Sequence, residues 1–263
     1  MAARGERGIV EEAQAWFNSV PPVTRALFAG TVGFSLAAGL GIVAPYQLIF
    51  VPEYILKKYQ IWRLVTAFLW QPLGFPFLMN IYFLYRNSSD LETGLFVGRT
   101  ADYVFFMIFC VGMINIAAYL LELVVLSEPL MLAIVYVWSM HNRDQRVSFL
   151  FGIQFKALYL PWVLVGMDVL QGNPWPILKL LGIAVGFIYY YLDQTYPAQN
   201  NGRKILVTPQ ILYQQFPPAS GGVAGGAGAG YRFVPPAQQA GGRAQPATNV
   251  TQRHTWGSGN RLD

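Results

Sequence analysis

The chain has 263 residues, of which 54% are hydrophobic, 15% are aromatic and only 12% are charged, and its net charge is +5. This balance is typical of a membrane protein with several spans and argues against a soluble enzyme domain. The small positive charge is spread along the loops and the tail, which indicates membrane topology and argues against nucleic-acid binding.

Residues 1–22 predict a short amphipathic helix. Their apolar side chains fall near one helical face: Ile9, Val10, Ala13, Trp16 and Phe17. Charged residues occupy much of the remaining segment, which ends at Pro21-Pro22. We expect this helix to lie on the cytosolic surface of a membrane.

Apolar runs near the length that crosses a bilayer, roughly 20 residues, predict six membrane-spanning helices within residues 23–195. The predicted spans cover residues 27–43, 64–85, 103–121, 129–140, 147–167 and 175–192. The second span is interrupted by Gln71-Pro72, and the fourth is short. The predicted fold class is therefore an all-α membrane protein with six transmembrane helices.

The connection between the first two spans, residues 44–63, contains both apolar side chains and the basic residues Lys57, Lys58 and Arg63. It is too apolar to extend freely into water, and its aromatic residues suit the depth of the lipid headgroups. We therefore expect it to lie in the membrane interface.

Basic residues predict the orientation of the spans, because they concentrate on the cytosolic side of membrane proteins. With the N-terminus in the cytosol, the cytosolic segments contain the larger group: Arg4, Arg7, Arg25, Arg86, Arg99, Arg143, Arg146, Arg203 and Lys204. The opposite side contains the smaller group: Lys57, Lys58, Arg63 and Lys179. Six spans then place the C-terminus in the cytosol as well.

Polar side chains inside predicted spans indicate either function or hydrogen bonds between helices. The residues concerned are Asn80, Asn115, Gln154 and Lys156. For Asn115 we expect a hydrogen bond between helices. The second and fifth spans also contain Pro76 and Pro161, which loosen a helix interior. The other three polar residues either line a lateral gate for a substrate or, alternatively, form hydrogen bonds while the lysine snorkels.

The sequence contains no arrangement typical of a hydrolase, a metal site or a nucleotide-binding loop. Its two histidines are His141, at the end of the fourth span, and His254, in the tail. Ser139 lies two residues before His141, and such positions do not face each other on a helix. We therefore predict that the protein is not an enzyme and binds no metal or cofactor.

Gly182 and Gly186 form a GxxxG pattern in the sixth span. Small residues one turn apart let two helices approach closely. We expect this helix to pack closely on a neighbour.

Residues 196–263 are rich in Gly, Ala, Pro and Gln and predict a disordered cytosolic tail. Near its end, residues 256–262 combine an aromatic and a leucine with two glycines. An extended peptide with two apolar anchors predicts docking to a soluble partner.

Several short motifs resemble the Derlin family, the rhomboid-like pseudoproteases of the endoplasmic reticulum. They are NSVPPVTR at 18–25, QIWR at 60–63, YFLY at 82–85, GRTADY at 98–103, NRDQ at 142–145, VSF at 147–149 and FKALYLPW at 155–162. Their order and spacing make the resemblance specific. It implies a six-helix rhomboid-like core.

The resemblance also implies which residues matter. Trp62 and Arg63 match the family's Trp-Arg pair in the first loop, and Gly182 and Gly186 match the GxxxG of the sixth helix. An indole suits headgroup depth, and a guanidinium suits either lipid phosphate or backbone carbonyls. The pair has either that role or the simpler one of pinning the loop.

Active rhomboids have a serine on the fourth helix and a histidine three residues before the GxxxG. In this chain the histidine position is Lys179 and the serine position falls near Leu132. The resemblance therefore implies that the catalytic dyad is missing.

The segment 256–262 is similar to the SHP box, through which some Derlins bind the AAA ATPase called valosin-containing protein. The matching residues are Trp256, Gly257, Gly259, Arg261 and Leu262. The two apolar side chains would fill pockets, the glycines would let an extended strand add closely to a partner edge, and the arginine suits a carboxylate.

The resemblance implies a non-catalytic component of endoplasmic-reticulum-associated degradation, located in that membrane. Such a protein would bind misfolded clients, aid their retrotranslocation and recruit the ATPase. A membrane RING ubiquitin ligase complex is a further implied partner, and homo-oligomers are open. Two alternatives also stay open: an intramembrane protease with an unconventional dyad, and a membrane adaptor that only recruits the ATPase.

Overall fold

The computed structural model describes residues 2–148, 152–172, 176–200, 203 and 205–217. Over these residues the chain is mostly helical, which confirms the predicted helical class, and it contains one small β-hairpin in addition. The predicted docking peptide at 256–262 lies outside the described residues.

The helices are numbered α1 to α12 along the chain. Their bounds are Ala2–Ser19 (α1), Pro22–Gly39 (α2), Pro45–Leu48 (α3), Pro52–Lys58 (α4), Arg63–Leu69 (α5), Phe75–Asp90 (α6), Thr100–Leu121 (α7), Ser127–His141 (α8), Leu160–Leu170 (α9), Ile177–Tyr190 (α10), Tyr196–Gln199 (α11) and Gln210–Gln215 (α12). Two π-helical turns, Leu91–Leu95 and Tyr191–Thr195, extend α6 and α10, and a 3₁₀ turn, Ala157–Tyr159, precedes α9. The strands Arg146–Ser148 (β1) and Gln154–Lys156 (β2) form an antiparallel pair.

The second predicted span consists of two helices, α5 and α6, because the chain leaves the helix after Leu69 and re-enters it at Phe75. Pro72 lies in this break. Pro76 lies in the first turn of α6. Proline suits a first turn, since its missing N–H would have no helical partner there. Pro76 therefore begins α6, and the expectation that it loosens a helix interior is wrong.

In the first half of the fifth predicted span, 147–167, the described residues are not α-helical. Val147 of β1 pairs with Phe155 of β2, and α9 begins only at Leu160. Pro161 lies in the first turn of α9, so it too begins a helix. The residues of β2 alternate polar, apolar and polar, a period of two that suits a strand and does not suit an amphipathic helix.

Within the described residues, two helices are long and apolar enough to cross a membrane. They are Thr100–Leu121, which is α7, and Ile177–Gln199, which joins α10 to α11 through the π turn. A shorter apolar helix covers Ala157–Leu170. The first, second and fourth predicted spans also contain helices, but these are not both as long and as apolar as the two helices above. Six spans therefore remain a prediction.

The helix α8 lies at the centre of the fold and packs against α5, α6, α7, α9 and α10. Its residues from 129 to 139 are all buried. A helix that is apolar on every side is expected to be enclosed by other helices. Near its C-terminal end, the indole N–H of Trp138 donates to the carboxylate of Asp90 at 3.2 Å, which ties α8 to the end of α6.

Candidate functional site

The glycines of the GxxxG pattern face α8. A Cβ added at Gly182 would collide with the carbonyl oxygen of Pro129 and would lie 2.7 Å from the Cβ of Leu132. A Cβ added at Gly186 would lie 3.0 Å from the carbonyl oxygen of Ala133. The two helices thus pack with the backbone of α10 against α8, as small residues permit.

One turn before Gly182, Lys179 forms a buried ion pair with Asp168 of α9. Its ammonium nitrogen lies 2.8 Å from a carboxylate oxygen, and the two side chains are 9% and 16% exposed. Glu128, in the first turn of α8, is close enough for its charge to interact with both. A buried charge needs such a partner, because burial without one costs several kcal/mol.

By the resemblance, Lys179 and Leu132 stand where active rhomboids have the histidine and the serine of their catalytic dyad. Leu132 is completely buried and has no hydroxyl group, and Lys179 presents an ammonium that is engaged by a carboxylate. A nucleophile and a neutral base are both required for rhomboid-type hydrolysis. Leu132 supplies no nucleophile, and Lys179 supplies no neutral base. Among the described residues, no group of three or more His, Cys, Asp or Glu side chains is arranged to hold a metal ion.

Arg63 of the Trp-Arg pair is almost completely buried and organises the first loop. Its guanidinium donates to the carbonyl oxygens of Tyr46 at 2.7 Å and Ile49 at 2.8 Å, and to the side-chain oxygen of Gln60 at 2.7 Å. Of the two kinds of partner that the sequence left open, the structure contains the backbone carbonyls. Trp62, by contrast, is 55% exposed at the start of α5.

The three candidate gate residues lie on one helix and one strand. Asn80 is buried in α6. Gln154 and Lys156 lie on β2, both exposed, and the lysine ammonium is 3.1 Å from the carboxylate of Asp144. The expectation of two polar helix faces is therefore wrong for Gln154 and Lys156, because their segment is a strand.

Asn115 behaves as expected for a polar residue within an apolar helix. Its side-chain nitrogen donates to the carbonyl oxygen of Val111 in its own helix at 2.9 Å and to that of Leu64 in α5 at 3.3 Å. The second bond joins α7 to α5.

A buried carboxylate that the sequence analysis missed caps α2. Glu92 accepts hydrogen bonds from the backbone nitrogens of Val23 at 3.0 Å and Thr24 at 2.8 Å, and from the Thr24 hydroxyl at 2.8 Å. A carboxylate at a helix N-terminus accepts hydrogen bonds from N–H groups that have no partner within the helix, and its negative charge interacts favourably with the helix dipole. The same threonine hydroxyl lies 2.8 Å from that of Ser88, which lies 2.6 Å from that of Tyr103.

The predicted tail begins too early at residue 196. The segment 205–217 contains α12, which packs against α7, and two of its side chains bind Asp102. The hydroxyl of Thr208 donates to the Asp102 carboxylate at 2.7 Å, and the hydroxyl of Tyr213 donates to the same oxygen. Burial and this bond to the carboxylate raise the pKa of Tyr213. The anchored part of the chain thus extends to about α12.

Comparisons with known proteins agree with the motifs. A model of the Der1-like family matches residues 20–210. The chain is 43% identical to Derlin-1 of Homo sapiens over 251 residues, which cover 94% of this chain and 96% of that relative. It is 42% identical to Derlin-1 of Mus musculus over the same shares, and 36% identical to Derlin-2.2 of Zea mays over 86% of this chain and 96% of that relative.

Proposed function

Because this chain belongs to the Derlin family, we propose that it is a non-catalytic component of endoplasmic-reticulum-associated degradation. In this proposal it binds misfolded proteins, aids their retrotranslocation to the cytosol and recruits an AAA ATPase through its tail. Family membership supports the first part, since the match covers nearly the whole chain.

The observation that carries the non-catalytic role is the ion pair between Lys179 and Asp168. A general base needs a free lone pair, and an ammonium held at 2.8 Å by a carboxylate has none. The position near Leu132 offers no hydroxyl to activate. A rhomboid-like protein with these residues is suited to binding a client and not to cleaving it.

Short helices support a role in passage across the membrane. The central helix α8 has 15 residues and α9 has 11. At about 1.5 Å per residue these helices are about 22 Å and about 16 Å long, against a hydrocarbon core of about 30 Å. A bilayer adapts to short spans by thinning, and a thin bilayer lowers the free energy of moving polar chain across it. We propose that the client passes beside α6 and α9, with Asn80 as a polar contact.

The proposed topology has six spans, with the N- and C-termini in the cytosol. It rests on the excess of basic residues in the segments assigned to that side. The SHP-like peptide of the tail, with Trp256 and Leu262 as its anchors, then faces the cytosol. The ATPase supplies the energy of extraction, and a membrane RING ubiquitin ligase complex modifies the client.

A cell line without its own Derlin proteins tests the proposal. The full chain is expressed in it, and the half-life of a misfolded lumenal protein is followed by pulse-chase. We expect the full chain to restore rapid degradation, and a chain with both Trp256→Ala and Leu262→Ala to fail although it reaches the membrane. An unchanged client half-life with the full chain would contradict the proposal.

The adaptor alternative gains one argument from the structure, since two of the three candidate gate residues are exposed on a hairpin. A chimera separates it from the main proposal: residues 218–263 are attached to an unrelated membrane anchor. Degradation of the client at the normal rate by this chimera would establish the adaptor. For the protease alternative, cleavage of a fluorescent transmembrane substrate by the purified chain in liposomes is the measurement.

A further inference from the structure

A cavity of about 300 Å³ lies between α6 and the segment formed by β1 and α9. Its walls are mostly apolar and include Met79, Phe83 and Leu160. Polar groups line it as well, among them Arg86 and Ser148. Because Ser148 is exposed and Arg86 is half-buried, the cavity is reached from outside.

The charged and the apolar parts of the cavity lining come from different positions of α6. Met79 and Arg86 are seven positions apart, and the Arg86 guanidinium extends back to the Tyr82 hydroxyl at 2.9 Å. We call the lining around Arg86 the basic end of the cavity and the lining around Met79 its apolar end. A cation beside a largely apolar wall suits an amphiphile with one charged group.

The basic end is suited to an anion. Arg86 donates one hydrogen bond to the hydroxyl of Tyr82 at 2.9 Å, and a guanidinium has five N–H donors. Of the described residues that line the cavity, none is acidic. Ser148 contributes a hydroxyl to the same lining. Phosphate, like carboxylate, binds arginine through two parallel hydrogen bonds.

We propose that this cavity binds one anionic phospholipid, with its phosphate at Arg86 and part of one acyl chain along Met79, Phe83 and Leu160. Basic pockets between the helices of membrane proteins bind acidic headgroups by the same chemistry. An unfolded polypeptide held inside the cavity fits less well, because its backbone N–H and C=O groups would need partners along a largely apolar wall. The client that is proposed to pass beside α6 and α9 is therefore not the occupant assigned to the cavity. The site goes beyond the proposed function, since lipid binding requires neither a client nor the ATPase.

The test uses the full chain in nanodiscs of phosphatidylcholine with a minority of phosphatidylserine. After transfer to detergent, mass spectrometry quantifies each phospholipid retained per protein. We expect Arg86→Gln to lower the retained phosphatidylserine about tenfold, the effect of losing about 1.4 kcal/mol of charge-assisted hydrogen bonding. Arg86→Lys is expected to keep part of it, and Met79→Trp, which fills the apolar end, is expected to lower it without a change of charge.

Arg143→Gln is the matched control, because Arg143 is an exposed arginine that binds Tyr190 at 3.0 Å and does not line the cavity. It is expected to leave retention unchanged, and a thermal unfolding curve for each variant excludes misfolding as the cause. The proposal would be overturned if Arg86→Gln retained as much phosphatidylserine as the unchanged chain does. It would also be overturned if the unchanged chain retained phosphatidylcholine as well as it retains phosphatidylserine. Displacement of the lipid by glycerol phosphate, which identifies a free-phosphate site, or by an apolar client peptide, which identifies a polypeptide site, would overturn it as well.

Discussion

The ammonium nitrogen of Lys179 lies 2.8 Å from a carboxylate oxygen of Asp168, and this pair joins α10 to α9 at the level where the GxxxG contact begins. Both side chains are largely buried, so the ion pair offsets part of the free-energy cost of burying each charge. By the resemblance, Lys179 stands where active rhomboids have their histidine, and in this structure its side chain forms an ion pair.

Removing one partner of this pair is expected to be strongly destabilising. Lys179→Met leaves the Asp168 carboxylate buried without its counter-ion, and we expect a loss of about 3–5 kcal/mol in the free energy of unfolding in detergent. The double variant Lys179→Met with Asp168→Leu should recover much of this loss. Lys57→Met is the control, because the Lys57–Glu53 pair is 4.0 Å apart and exposed and should contribute less than about 1 kcal/mol. Equal effects of both lysine changes would contradict the assignment.

A second prediction concerns the contact between α8 and α10. Gly182→Ala places a methyl group against the carbonyl oxygen of Pro129, so we expect a loss of about 1–3 kcal/mol as the helices separate. Gly112→Ala is the control, since a Cβ added at Gly112 in α7 meets nothing within 4 Å. There the change should raise stability by about 0.5–1 kcal/mol through the better helix propensity of alanine. Thermal and denaturant unfolding of the two variants measure the difference, and equal signs would argue against the close contact.

Whether a feature of the fold or the site could be predicted from the sequence depends on how far apart in the chain its interacting residues lie. The length of the apolar runs predicted helices, and the spacing of Gly182 and Gly186 predicted that their helix packs closely on a neighbour. Both signals are local in the sequence. The hairpin of β1 and β2 was missed, since its three-residue strands carry too short an alternation to stand out within an apolar run. The expectation that Pro161 loosens a helix interior is wrong, because proline is equally suited to the start of a helix.

The missed polar contacts are long-range. Glu92 caps α2 from 68 residues away along the chain, and Tyr213 binds Asp102 from 111 residues away. The sequence around Glu92 and around Tyr213 does not indicate these distant partners. Only the packing of α2 against α6, and of α12 against α7, brings these groups together.

The third prediction concerns Arg63. Arg63→Lys keeps the charge but loses the fork that donates to the carbonyls of Tyr46 and Ile49 and to Gln60. We expect a loss of about 2–3 kcal/mol from buried acceptors left without donors, together with faster proteolysis of the loop 44–63. Trp62→Phe changes an exposed neighbour and should leave both properties nearly unchanged. If the two variants were cleaved at the same rate, the pair would not pin the loop through its arginine.

The fourth prediction concerns the anchoring of the segment 205–217. Tyr213→Phe removes a hydrogen bond to Asp102 and should increase proteolytic cleavage between α11 and α12, whereas Tyr119→Phe, an exposed tyrosine of α7, should not. The anchoring should also depend on pH. The raised pKa of Tyr213 means that its hydroxyl is protonated in the bound segment, so its contribution is complete below the ordinary tyrosine pKa of about 10 and is lost as the pH rises through the raised value. Cleavage that does not rise in this alkaline range would contradict the role of Tyr213.

The last prediction concerns the peptide at residues 256–262. Trp256→Ala or Leu262→Ala should abolish co-purification of the AAA ATPase, because each removes one of two apolar anchors from a peptide that has few other contacts to offer. Phe233→Ala is the matched control: it removes an aromatic from the same tail outside the peptide and should leave co-purification unchanged. All three variants should insert into the membrane normally, since the changes lie far from the apolar segments. Binding that survives both Trp256→Ala and Leu262→Ala would assign the peptide no docking role, while the ion pair of Lys179 would still argue for a non-catalytic membrane core.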